Sequence, residues 1–249
     1  MGCFQINPLV YCLTNEVTSN FVANALLAVG SSPIMSRSQC EVRALCRKAD
    51  ALVLNIGTAD VRQALLMLRA GRMMHRLHKP IVLDPVGAGA TSFRTRLARL
   101  LLRWVSPTVL RGNASEIMAV AGAGHSTHGV DSALSGPEAW QTASEVARRY
   151  GCTVVVSGAT DFITDGTHSA TVDLGSPLQA QVTGMGCVAT AVIGAMLAQG
   201  TSPFKAAWQA MARVGAAGAS AAQHAAGPGT MIPLFVDLLN GEWRNEKGE

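Results

Sequence analysis

The sequence predicts an α/β domain built on a doubly wound, mostly parallel central sheet with helices on both faces and a small β-hairpin at one edge. Three observations predict it. Short, near-continuous apolar runs, Ala51-Leu-Val-Leu-Asn55, Ile81-Val-Leu-Asp84, Thr108-Val-Leu110 and Thr153-Val-Val-Val156, read as strands buried on both faces. Helical patterns separate these runs, the alternation expected of parallel strands joined by crossover helices. Finally, Phe162-Ile-Thr and Ser169-Ala-Thr-Val flank Asp165-Gly166, a dipeptide suited to a tight hairpin turn at a sheet edge. With 249 residues and 49% hydrophobic content, the chain reads as one domain spanning 1–249.

Taken in order, the helix beginning near Thr18 is closed by Gly30. Ser38-x-x-Glu41 has the spacing of a capping box and predicts the next helix start. After the strand ending at Asp84 comes Asp84-Pro-Val-Gly-Ala-Gly-Ala-Thr-Ser92, a glycine-bearing loop that ends in a helix cap. Arg111-Gly-Asn-Ala-Ser-Glu116 reads as a loop leading into a helix over Ile117 to Ala121, and the stretch from Gly122 to Gly136 as a surface loop. Thr183-Gly-Met-Gly-Cys187 runs into an apolar helix, and Ser202-Pro203 places a cap and then proline at the first position of a long alanine-rich helix.

Composition excludes several classes. The net charge is +4, but the basic residues never gather into a run, which favours a phosphate-bearing small molecule over nucleic acid. Val188 to Ala198, the longest apolar stretch, falls short of the roughly 20 residues a bilayer requires. The six cysteines lack C-x-x-C spacing, so reduced thiols in a cytoplasmic protein are expected rather than zinc or disulfides. Met1-Gly2-Cys3 opens like a myristoylation signal, yet Ile6 stands where that signal needs Ser or Thr. His75 with His78, and His125 with His128, read as solvated faces rather than metal sites.

In open parallel sheets ligands bind beyond the carboxyl ends of the strands, so chemistry is sought in the loops that follow them. Gly184 and Gly186 let backbone N–H groups turn inward at a helix N-terminus, where the dipole favours an anion such as a phosphoryl group. A cysteine in an apolar stretch ordinarily only packs, but Cys187 sits at that glycine-lined start, where a thiol pKa falls. Asp84 either holds Mg²⁺ through water or caps its own loop. Asn113 and Glu116 fit a capping box equally well as a ligand site, and Arg111 suits either a phosphate clamp or an ion pair with Glu116.

Larger blocks carry a family resemblance: Pro8-Leu-Val-Tyr-Cys-Leu-Thr-Asn15, Asn20 through Met35, Leu54-Asn-Ile-Gly-Thr58, Leu83 through Ala90, and Arg111 through Glu116. In order and spacing they resemble the hydroxyethylthiazole kinases of the ribokinase-like superfamily, over almost the whole chain. The resemblance implies ATP- and Mg²⁺-dependent phosphorylation of a thiazole alcohol in thiamin biosynthesis. It implies that Asn15, Met35 and Gly184 contact the thiazole, that Arg111 and Ser157 contact ATP, and that Asp84 and Glu116 organise Mg²⁺. Cys187, with Gly184 and Gly186, matches the catalytic position opposite the substrate hydroxyl. Most relatives in the superfamily place aspartate there, which argues against a hydroxymethylpyrimidine or pyridoxal kinase. A homotrimer is implied too, with active sites between subunits and Met35 near the seam, and neither nucleic acid nor membrane as partner. Met185, Ser157 and Ala159 depart from the family pattern. Gly227-Pro-Gly-Thr-Met231 resembles a family turn bordering the nucleotide, without its aromatic residue.

Overall fold

In the computed structural model residues 7–122 and 136–241 are described. The strands are β1 (Leu9–Leu13), β2 (Ser32–Met35), β3 (Ala51–Asn55), β4 (Ile81–Asp84), β5 (Val109–Asn113), β6 (Thr153–Ser157), β7 (Asp161–Thr164) and β8 (Ser169–Val172). They form one eight-stranded sheet in the order β2-β1-β3-β4-β5-β6-β7-β8. Strands β1 to β6 pair in parallel, and β7 and β8 add antiparallel to the far edge. The chain places β2 on one side of β1 and β3 on the other, so the direction of winding reverses beside β1. That is where a crevice opens at the carboxyl edge of such a sheet.

The helices are α1 (Ser19–Ala28), α2 (Val42–Lys48), α3 (Val61–Arg76), α4 (Ser92–Val105), α5 (Ala114–Ala121), α6 (Gly136–Tyr150), α7 (Met185–Ala198), α8 (Pro203–His224) and α9 (Pro228–Leu239). Alternate residues of the strands face two separate cores. Val10, Val53, Val82 and Val109 meet α1, α7, α8 and α9 on one face. Tyr11, Leu52, Leu54, Leu83 and Leu110 meet α2 to α6 on the other. Double-sided burial explains why the sequence shows unbroken apolar runs rather than alternation.

Helix α7 lies deepest. From Val188 to Leu197 every residue is buried, and it carries no charged side chain. It presses against the sheet at Gly194, where a Cβ would stand 2.8 Å from Val53 Cγ2. The helix therefore has one rigid height above the strands, which fixes where its N-terminus falls.

Several expectations need correction. Glu41, not Ser38, occupies the N-cap of α2, without a side-chain cap bond; its carboxylate instead accepts from Ser36 Oγ. The strand expected over Thr108 to Leu110 runs on to Asn113, because β6 pairs with it as far as Asn113↔Ser157. Arg111 is consequently a strand residue rather than a loop residue, and the following helix starts at Ala114 rather than Ile117. The hairpin is real, but Thr164 pairs with Ser169, so Asp165 to His168 all belong to the turn. Asp165 Oδ1 holds that wider turn by accepting from the backbone N–H groups of Thr167 and His168. Ser202 caps α8 by position alone, with no side-chain bond. Gly227 stands at the N-cap of helix α9, so the Gly227 to Met231 turn is a helix start, with Met231 fully buried in the core. Residues 123–135, expected as part of a surface loop and including His125 and His128, lie outside the described residues, whereas His75 and His78 are exposed as expected.

The contact at Gly194 generates a test. Gly194→Val overpacks the α7–sheet seam and is expected to cost about 1–3 kcal/mol, lowering the thermal midpoint by about 2–10 °C in a circular dichroism melt. An unchanged midpoint contradicts the tight seam.

Candidate active site

The carboxyl ends of β1, β3, β4, β5 and β6 bring Asn15, Asn55, Asp84, Arg111 and Ser157 to one edge of the sheet, where the N-terminus of α7 meets them. Gly184 caps α7 with φ 98°, a left-handed value that favours glycine. A Cβ there would also stand 2.6 Å from Thr18 Cγ2. At Gly186 a Cβ would collide with the Arg111 guanidinium, so the absent side chain is what lets Arg111 lie against the first turn of α7. A guanidinium and a helix N-terminus thus converge on one spot, an electrostatic setting suited to a phosphoryl group.

Arg111 does not pair with Glu116. Its Nη2 donates to Ser157 Oγ at 2.7 Å, and Ser157 Oγ in turn lies 3.2 Å from the Gly112 carbonyl, to which it donates. The buried Nε of Arg111 has no partner. Glu116 is instead committed to the backbone: Oε2 accepts from Asn113 N at 2.9 Å and Oε1 from Gly87 N at 2.8 Å. Asn113 Oδ1 accepts from Glu116 N at 2.8 Å, so the capping box is present. Each carboxylate oxygen keeps a further acceptor position beyond its single backbone bond.

Asp84 is 1% exposed. It does not cap its loop: Oδ2 accepts from Asn55 Nδ2 at 3.0 Å and from Thr190 Oγ1 at 2.8 Å. Its Oδ1, equally buried, has no partner. Burial holds this carboxyl well above the usual carboxylate range, the Arg111 charge opposes that rise, and the neighbouring Glu116 adds to it. A buried carboxylate with one orphan oxygen beside a second carboxylate fits a divalent cation, since Mg²⁺ takes one or two carboxylates and keeps several waters. No group of three or more His, Cys, Asp or Glu side chains gathers among the described residues, so a fully protein-ligated metal cage is absent there.

Cys187 sits in the first turn of α7, half-buried and reduced. Its sulfur accepts from Asn15 Nδ2 and from Asn55 Nδ2, each at 3.2 Å. The expectation of a lowered thiol pKa is overturned. Burial raises it, the Asp84 charge raises it further, and hydrogen bonds from Thr18, Asn15 and Asn55 only partly compensate. A helix N-terminus lowers a thiol pKa where solvent can share the charge, but here desolvation and a nearby carboxylate prevail.

Of the candidates read from sequence, the structure gathers Asn15, Asp84, Arg111, Glu116, Ser157, Gly184, Gly186 and Cys187. Met35 lies at the carboxyl end of the edge strand β2, paired with Cys12, half-buried and beside the site rather than within this hydrogen-bonded cluster. Sequence reasoning gave no role to Asn55, Thr190 and Arg94. Arg94 donates to the carbonyls of Gly57 (2.7 Å) and Val86 (3.2 Å), tying the loops after β3 and β4 together. Buried polar residues at a strand end and within an otherwise apolar helix were the available signals for Asn55 and Thr190. The turn after Ser157, where Ala159 lacks a carboxylate, is closed by Asp161, whose Oδ1 accepts from Gly158 N at 3.1 Å.

Comparisons with known proteins bear on the chain's family and fold. A model of the hydroxyethylthiazole kinase family matches residues 3–241. A hydroxyethylthiazole kinase of Nitratidesulfovibrio vulgaris (strain DP4) is 48% identical over 236 residues, spanning 95% of this chain and 88% of its own. A thiamine biosynthesis bifunctional protein of Symbiobacterium thermophilum is 45% identical over 93% of this chain and 51% of its own. The solved structure of a hydroxyethylthiazole kinase protein from Pyrococcus horikoshii OT3 superposes with a TM-score of 0.87 at 40% identity, covering 94% of this chain and 88% of that one.

Asp161 supplies a pH test. Burial raises its carboxyl to about 6. Its stabilising contribution is full below the unfolded value near 4 and is lost as pH rises through about 6, a loss of roughly 2–3 kcal/mol. Asp161→Asn keeps the oxygen that Gly158 N needs and cannot ionise. Thermal melts are expected to show it more stable than wild type at pH 8 and equal at pH 4; equal stability at both contradicts the shift.

Proposed function

Because the chain belongs to the hydroxyethylthiazole kinase family, it is a kinase, and we propose that it uses ATP and Mg²⁺ to phosphorylate the primary alcohol of 4-methyl-5-(2-hydroxyethyl)thiazole in thiamin biosynthesis or salvage. One observation carries the mechanism: Arg111, Gly184 and Gly186 converge at the N-terminus of α7 with Cys187 and Asp84 alongside.

In this reading Gly184 and Gly186 open the backbone amides of α7 to the phosphoryl group in transit, and Arg111 neutralises charge on the nucleotide's phosphates. Transfer through a loose transition state needs mainly such positioning and electrostatics. Ser157 holds Arg111 in place and borders the nucleotide. Asp84, through its free Oδ1, and Glu116 would hold Mg²⁺. That ion supplies charge neutralisation between phosphate oxygens when bound. Asn15, Met35 and Gly184 border the thiazole, and Cys187 faces its hydroxyl. A thiol held neutral by burial cannot take the hydroxyl proton, so in this reading Cys187 only orients the hydroxyl, and the proton leaves late, onto the oxygens of the phosphoryl group being transferred.

The homotrimer also belongs to the proposal. Strand β2 leaves one sheet edge open, and Met35 stands at its carboxyl end beside Asn15. Val17 and Leu27, 71% and 58% exposed, offer apolar surface near the same segment. Among the described residues no helix is long and apolar enough to cross a membrane. A cytoplasmic location is the natural one for a kinase supplied by soluble ATP.

Purified protein given ATP, Mg²⁺ and the thiazole alcohol is expected to yield the alcohol's phosphate ester by mass spectrometry; no ester with a folded protein overturns the assignment. Gly186→Ala should displace Arg111 and lower kcat about 10–100-fold, as loss of a preorganised charge contact does, while circular dichroism stays native. Sedimentation velocity should report a three-chain particle, and a monomer would remove Met35 from any seam.

A further inference from the structure

Two backbone donors fix the orientation of the site's amides. Gly57 N donates to Asn55 Oδ1 at 3.0 Å, and only the amide oxygen can accept it. Asn55 Nδ2 must therefore face the other way, toward Asp84 Oδ2 at 3.0 Å and Cys187 Sγ at 3.2 Å. Thr18 N does the same for Asn15, donating to its Oδ1 at 3.0 Å and leaving Nδ2 to face Asn55 Oδ1 at 3.0 Å and Cys187 Sγ at 3.2 Å. Thr18 Oγ1 takes the second lone pair of Asn15 Oδ1, also at 3.0 Å. Gly57 makes the arrangement possible, since a Cβ there would stand 3.1 Å from both Asn15 Cβ and Asn55 Oδ1.

Each amide is fully used, with two hydrogens given and two accepted. Asn15 thus has no polar valence left for a ligand, and its contact with a bound thiazole is one of shape. The sulfur receives two N–H groups from one side. Its remaining valence, an S–H in the thiol or a lone pair in the thiolate, is left for the Thr18 side chain, which also bonds the sulfur, or for a bound hydroxyl that replaces it.

We propose that Asn55 is a positioning residue of this site: with Asn15 it forms a two-amide cradle that aims the Cys187 sulfur, and through its second N–H it locks that cradle to Asp84. Asn55 is 1% exposed and pairs directly with Asp84 across β3 and β4, so thiol and carboxylate move as one unit. The inference rests on the reading that Cys187 faces the reacting hydroxyl. It adds that Cys187 acts only as aimed by Asn55.

The test is a double-mutant cycle with a second readout that needs no turnover. Asn55→Ala is made in the wild-type and in the Cys187→Ala backgrounds, and phosphotransfer to the thiazole alcohol is measured. Loss of the cradle donor is expected to lower kcat roughly 10–100-fold with Cys187 present, the scale of one lost preorganised donor, with KM for ATP little changed. In the Cys187→Ala background the same substitution should cost markedly less, only the part carried through Asp84 remaining, because coupled residues are non-additive. Equal losses in both backgrounds would overturn the proposal.

In parallel, iodoacetamide alkylation of Cys187 is followed peptide by peptide at pH 8 in the ligand-free protein. Removing an N–H from the sulfur disfavours the reactive thiolate, so alkylation should slow several-fold. An unchanged or faster rate would mean the substitution merely opens the site, and the proposal falls. Asn55→Leu keeps much of the side-chain volume and removes the donors without adding a charge beside Asp84, and it should slow alkylation too, which covers the case where the alanine variant fails to fold. If wild-type protein phosphorylates no thiazole alcohol, the functional reading fails, while the alkylation result still decides the cradle.

Discussion

Everything at this site depends on where one buried helix ends. Helix α7 is apolar, free of charge and seated on the sheet with no slack at Gly194, so its N-terminal dipole emerges at a fixed point above the carboxyl ends of β1, β3 and β4. The dipole acts within about one turn, and that turn contains Gly184, Gly186 and Cys187. Glycine at 186 is the concession that lets the Arg111 guanidinium come close enough to add its charge. A side chain at position 186 would separate the two positive ends, whereas one at 184 would strike Thr18.

Around that point the protein buries polar groups that would each be costly alone, and makes them tolerable by mutual pairing. Asn55 satisfies one oxygen of Asp84 and one face of the Cys187 sulfur, and Thr190 satisfies Asp84 from α7 itself. What remains unpaired is informative. Within the site the orphan atoms include Oδ1 of Asp84 and Nε of Arg111, one acceptor and one donor on the two groups a magnesium nucleotide would engage. The same burial keeps the Cys187 thiol protonated in the ligand-free state, against the first expectation from its place at a helix start. Catalysis here accordingly leans on geometry and charge more than on a strong base.

How much of this was legible in the sequence follows from the same physics. Strands β3, β4 and β6 were readable because burial on both faces writes continuous apolar runs, and the β7–β8 hairpin because Asp165-Gly166 marks it. Strands β1 and β2 were not identified as strands: β2 is short, contains Pro33 and lies half-exposed at the edge. Strand β5 was cut short because Arg111 and Asn113 look like loop residues until β6 is seen to pair alongside them. Asn15, Met35 and Ser157 were reached only through the family resemblance, which assigns positions without showing their contacts. The bond from Gly87 N to Glu116, and the locking of Asn55 to Asp84, are tertiary facts. They involve residues 29 positions apart in each case, a separation at which no local pattern speaks.

The most direct test of the central claim is a crystal structure with Mg²⁺, ADP, aluminium fluoride and the thiazole alcohol, the fluoride standing in for the phosphoryl group in transit. The account places the fluoride within hydrogen-bond distance of the backbone amides at the start of α7 and of Arg111, with the alcohol oxygen adjacent to Cys187 Sγ. A fluoride bound elsewhere along the sheet edge, with the first turn of α7 making no contact to it, would contradict the account.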